Sequence, residues 1–77
     1  MYLEKISDRE REVLELIASE YNTAEIASQL YVSPYTVDTH NKNIKAKLDV
    51  RNTAGMIRRG FELGFLKVDK NLRMQVA

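Results

Sequence analysis

Between positions 35 and 45 the chain sets out Tyr35, Thr36, Asp38, Thr39, Lys42 and Lys45: hydroxyls, a carboxylate and two ammonium groups, spaced to share one side of a helix. That is chemistry for recognising a surface and not for making or breaking a bond. Lys42 can donate to guanine, Thr39 can hydrogen-bond a base or touch a thymine methyl, and Asp38 can accept from a cytosine amino group. Tyr35, Thr36 and Lys45 suit phosphate oxygens. Asn22 and Thr23 join them from the start of an earlier helix, where free amides and the helix dipole favour an anion. Catalysis has no comparable footing, because no serine or threonine has a base partner, no glycine-rich loop cradles a phosphate, and no pair of carboxylates shares an evident pocket. With no cysteine and a single histidine, the chain has no disulfide framework and no Cys-based nucleophile, and an all-protein zinc site is not expected. We therefore expect no enzyme activity, no metal and no cofactor. His40 falls beside an apolar stripe and reads as an imidazole packed and hydrogen-bonded between helices.

These side chains need a helix to carry them, and residues 33–48 supply one. Ser33 can accept from a first-turn amide, Pro34 suits the first helical position, and no glycine or further proline interrupts the run to Leu48. Val37, Ile44 and Leu48 form a narrow apolar stripe on its core side. Tyr35, Thr39, Lys42 and Ala46 lie opposite, flanked by Thr36, Asp38, Asn43 and Lys45. The segment in front, Asn22 to Leu30, reads as a short helix with Asn22 as N-cap, Glu25 completing a capping box, and Ile26, Ala27 and Leu30 as its apolar edge. Only Tyr31 and Val32 separate the two helices, so they must cross at a large angle. That is a helix-turn-helix, whose second helix reads the major groove of duplex DNA.

Ser7-Asp8-Arg9-Glu10-Arg11-Glu12-Val13-Leu14, Glu25-Ile26-Ala27, Val32-Ser33-Pro34-Tyr35-Thr36-Val37-Asp38-Thr39-His40, Asn43-Ile44 and Lys47-Leu48-Asp49-Val50 resemble, in order and spacing, the LuxR-type (GerE-type) helix-turn-helix domain of bacterial transcription regulators. The resemblance runs from about residue 6 to residue 66 without a gap. It implies an all-α domain of four helices, a tri-helical core plus a fourth, dimerisation helix. Asp38 stands where the family commonly has a basic residue, Ala24 where a lysine is frequent, Asn41 where an apolar residue is common, Thr53 where an arginine is, and Glu20 where glycine is frequent. The last substitution predicts a less sharp exit from the first helix.

That first helix begins at Ser7, with Glu10 at the capping-box position, and Val13, Leu14, Ile17, Ala18 and Tyr21 recur at helical spacing. It reads as scaffold, its acidic face solvated. After a turn in which Val50 tucks into the core, a fourth helix is capped by Asn52 or Thr53 and closed by Gly64. Its apolar arc covers about half the circumference, with Ala54, Ile57 and Phe61 on one side and Met56, Gly60 and Leu63 on the neighbouring side; a stripe of about 100° would suffice for one core contact. The resemblance implies that part of the arc meets its copy in a second chain, and Met56, Gly60 and Leu63 are the residues expected there. The alternative is a broader core contact covered by the tail from Phe65 to Val76.

Seventy-seven residues make one domain, with a core at about 6–66 and a C-terminal extension at 67–77. The formal net charge is +1, but residues 1–30 hold three basic residues against seven acidic, and residues 31–77 hold nine against four. Such polarity turns the later helices toward phosphate. No signal peptide or membrane span is indicated, and a cytoplasmic setting without a small-molecule ligand is expected. The expected function is sequence-specific binding of double-stranded DNA by a transcription regulator, as a homodimer, with RNA polymerase as a possible further partner. The alternative is a protein-interaction module of the same fold that docks on polymerase or another regulator. Its support is the near-neutral charge and Asp38.

Overall fold

The structure, a computed structural model, describes residues 6–68. Four helices follow one another: α1 (Asp8–Ala18), α2 (Thr23–Leu30), α3 (Pro34–Leu48) and α4 (Thr53–Glu62). Each starts on a side-chain oxygen that accepts the N3 amide: Ser7 from Glu10 at 3.0 Å, Asn22 from Glu25 at 2.8 Å, Ser33 from Thr36 at 3.1 Å and Asn52 from Gly55 at 2.9 Å. In α1 and α2 the glutamate answers with a hydrogen bond from the cap's own N–H, completing the expected capping boxes.

All four helices also close in the same manner. An amide reaches back five residues, from Tyr21 to the Leu16 carbonyl, Val32 to Ala27, Val50 to Lys45 and Phe65 to Gly60, at 2.9–3.1 Å. The residue before that amide sits at positive φ: Glu20 (71°), Tyr31 (58°), Asp49 (58°) and Gly64 (84°). Only the last is a glycine. The exit from α1 is thus as sharp as a glycine would make it, contrary to expectation, because Glu20 adopts the left-handed conformation itself.

The core comprises Val13 and Leu14 of α1, Ile26 and Ala27 of α2, Val37, Ile44 and Leu48 of α3, Met56 of α4, and Leu66 beyond it. The α3 helix packs against each of the other three, its expected stripe fully buried. At about 1.5–3 kcal/mol per large apolar side chain, that stripe is the main attachment of the helix. Val50 is half-buried against the same cluster.

One assignment reverses. Met56 is 0% exposed, and Gly60 is buried where a Cβ would lie 2.7 Å from Leu66 Cδ1 and 3.3 Å from Leu14 Cδ2. Neither can meet a second chain, because both already face the core of their own. The reason is the return of the chain after α4. Phe65 lies beneath the Arg11 guanidinium, 6.0 Å from ring centre to Cζ, and Leu66 drops onto Gly60. Leu63, at 37% exposure, sits at the margin. The open side of α4 carries Ala54, Arg58 and Phe61, with Ile57 half-buried beside them. Of the expected extension at 67–77, residues 69–77 lie outside the described residues, as do residues 1–5 of the lead-in.

Candidate nucleic-acid interface

The candidate surface is the side of α3 turned away from its buried stripe, together with the start of α2. Asp38, Thr39 and Lys42 are all exposed, as are Asn43 and Ala46, and Tyr35 is 79% exposed. Thr36 and Lys45 are half-buried on the flanks. Position in the helix sets this division, because the stripe at 37, 44 and 48 fixes its rotation.

The polar groups differ in how much remains free. The Thr39 hydroxyl donates to the Tyr35 carbonyl one turn back, at 3.1 Å, so its proton is committed and its methyl and lone pairs are what it offers outward. Ser33 and Thr36 hydroxyls lie 3.0 Å apart and share a hydrogen bond at the N-terminus of α3. Within the described residues neither Asp38 nor Lys42 has a hydrogen bond or ion pair, although i,i+4 spacing with the acid first favours one. At the start of α2 the Asn22 side-chain oxygen is occupied by the Glu25 amide, and the Glu25 carboxylate caps the Asn22 N–H at 2.8 Å. Thr23 and Ala24 carry the amides left over by the cap, but the Glu25 charge at the same end opposes an incoming anion.

What holds α3 in place includes a pair that local spacing does not reveal. Glu10, 5% exposed, accepts both the Ser7 N–H (2.9 Å) and the Lys47 ammonium (2.8 Å) on one oxygen, Oε1. Burial pushes the Glu10 carboxyl up, but the Lys47 hydrogen bond and charge and the Ser7 bonds outweigh it, so its pKa lies below the usual 4.5. The start of α1 and the last turn of the recognition helix are thereby tied together. Glu10 was legible as a cap, while its second partner lies 37 residues on.

Beside this surface Ile17, Tyr21, Asn22, Thr23, Ile26, Val37, Asn41 and Thr53 line a shallow hollow where α1, α2, α3 and α4 meet. The Asn41 Oδ1 atom is buried there without a hydrogen-bond partner among the described residues. His40 is half-buried on α3, and its ring makes no hydrogen bond within the described residues. The expected hydrogen bond is not found.

Comparison with known proteins agrees with this geometry. The family model for bacterial regulatory proteins of the luxR family, GerE, matches residues 4–59. The transcriptional regulatory protein DesR of Bacillus subtilis is 44% identical over 62 residues, 80% of this chain and 31% of its own length. MctR of Rhizobium johnstonii, another transcriptional regulatory protein, is 39% identical over 61 residues, 79% of this chain and 28% of its own. The chain thus spans about a third of the length of these relatives. The B. subtilis spore germination protein GerE is comparable in size: 36% identity covers 82% of this chain and 85% of that one. The solved structure of the transcription factor GerE superposes with a TM-score of 0.78 over 82% of this chain and 94% of that one. The two helices, their tight turn, the outward polar face and these matches together place the chain in the luxR (GerE) family of bacterial regulatory proteins, as its helix-turn-helix DNA-binding domain.

Proposed function

We propose that this chain binds duplex DNA with α3 in the major groove and acts as the DNA-binding part of a transcription regulator in the bacterial cytoplasm. The observation that carries this reading is the outward face of α3, where Asp38 and Lys42 are exposed and unpartnered within the described residues while the opposite stripe is locked in the core. Asp38, Thr39 and Lys42 meet base edges. Tyr35, Thr36 and Lys45 meet phosphates, with Asn22 and Thr23 from α2. Asn22 contributes its amide NH2, since its oxygen is committed to the cap.

Two copies bind together over half-sites about one helical turn apart, as two-fold symmetry requires. Their contact is the open side of α4, Ala54, Ile57, Arg58 and Phe61; Phe61 is 43% exposed and apolar. RNA polymerase is the partner through which such a bound dimer would act on transcription.

The test is fluorescence anisotropy of a labelled duplex titrated with the folded protein at several salt concentrations. The expected result is binding that weakens steeply, with a log–log slope of roughly −0.9 per neutralised phosphate. No binding at low salt would overturn the reading and favour a protein-docking role for the exposed Tyr31 and Tyr35, at 94% and 79% exposure.

A further inference from the structure

We propose that Asp38 is the residue that sets this chain's sequence preference, selecting a cytosine, next to a guanine read by Lys42 and a thymine methyl met by Thr39. This rests on the DNA-binding reading above and names the bases that surface would take. Asp38 is exposed and has no partner within the described residues. A carboxylate in that state faces a field of phosphates, and only a base offering a hydrogen-bond donor compensates it. Two bases present an amino group in the major groove. Adenine places the N7 acceptor beside its N6 amino group, so a carboxylate meets a lone pair with one oxygen while accepting with the other. Cytosine places only a C–H beside its N4 amino group, and the carboxylate meets no lone pair on that base. Cytosine is the better match.

The neighbours constrain the rest. Lys42 lies one turn further on the same side, a rise of about 6 Å along the helix, so it meets a different base from Asp38. Its ammonium has donors only, and guanine O6 and N7 are the paired acceptors that suit it. Thr39 has given its proton to the Tyr35 carbonyl and so has no donor left for a base; the methyl group is what distinguishes its contact. The operator half-site therefore carries a cytosine and a guanine at separate positions, with a thymine methyl alongside.

Asp38→Asn gives a test with a distinct readout. The amide keeps the shape, removes the charge, and pairs a donor with an acceptor, which is the complement of adenine N6 and N7. The native chain and Asp38→Asn are each used to select duplexes from a pool with a randomised half-site, and the enriched sequences are read. The expected outcome is cytosine at one position for the native chain and adenine at that same position for Asp38→Asn, with a preference of about tenfold or more in each case and the other positions unchanged. Asp38→Ala should retain the fold, shown by circular dichroism, and lose the preference at that position alone. The same base under all three proteins, or a uniform gain in affinity on every sequence, would overturn the assignment while leaving DNA binding intact. No enrichment by any of the folded proteins would overturn the DNA-binding reading and this inference with it.

Discussion

Replacing Lys47 with methionine tests how the recognition helix is held to α1. Methionine keeps most of the apolar stem and removes the ammonium that donates to Glu10 Oε1 at 2.8 Å. The carboxylate left behind is 5% exposed and retains the Ser7 N–H at 2.9 Å. It loses a charge-assisted hydrogen bond, an interaction of about 1.5–3 kcal/mol, and we expect a loss of ~2 kcal/mol at neutral pH. For a domain with a stability of about 5 kcal/mol that is a large share. Acid supplies the check. In the native chain Glu10 titrates below 4.5, so its contribution is present above that value and is lost as pH falls through the lowered pKa. Without Lys47 the carboxyl loses the hydrogen bond and the charge that help hold its pKa down, so protonation costs the variant less than it costs the native chain. Urea denaturation of both proteins at about pH 7 and about pH 3 should therefore show a gap that closes on acidification. A gap under about 0.5 kcal/mol at neutral pH, or one that persists unchanged in acid, would refute the account, since exposed ion pairs of that size need no buried partner.

Other perturbations separate packing from binding. Glu20→Gly should raise the denaturation midpoint, by about 1 kcal/mol in stability, because Glu20 holds φ 71° and glycine adopts that conformation without strain; an unchanged or lower midpoint would count against it. Asn41→Leu should stabilise the chain by about 1 kcal/mol by removing a buried acceptor that has no partner among the described residues, measured the same way. Gly60→Leu should destabilise by about 1–3 kcal/mol through overpacking against Leu66 and Leu14. Phe61→Glu should leave stability nearly unchanged and lower affinity for a duplex with two half-sites more than for one with a single half-site. If the two α4 variants behave the other way round, the inward and outward sides of that helix have been exchanged.

The elements were legible because their signals are local. A cap and its N3 partner lie three residues apart, so Ser7 with Glu10 and Asn22 with Glu25 could be matched by inspection, and the stripe at Val37, Ile44 and Leu48 fixed which side of α3 faces outward. The fourth helix was not legible in the same way. Both its sides are apolar, and the choice between them is made by Leu66, which returns from beyond the helix to lie on Gly60. The Glu10–Lys47 pair was missed because it joins residues 37 apart, and Glu10 already had a sufficient explanation as a cap. For Thr39 both a hydrogen bond to a base and contact with a thymine methyl were open, and the carbonyl four residues back takes the hydroxyl proton first. In each case the outcome depended on a competition among partners that spacing alone does not rank.

The return of the chain after α4 also bears on how the core is closed. The family model matches residues 4–59, yet the core includes Leu66, and Phe65, also beyond that match, lies beneath the Arg11 guanidinium. A chain that lacked Leu66 would leave Leu14 bordering an open apolar furrow in place of a sealed interior. Furrows of that kind draw chains together without specificity. Leu66 therefore belongs with the core although it lies beyond the residues that the family model matches.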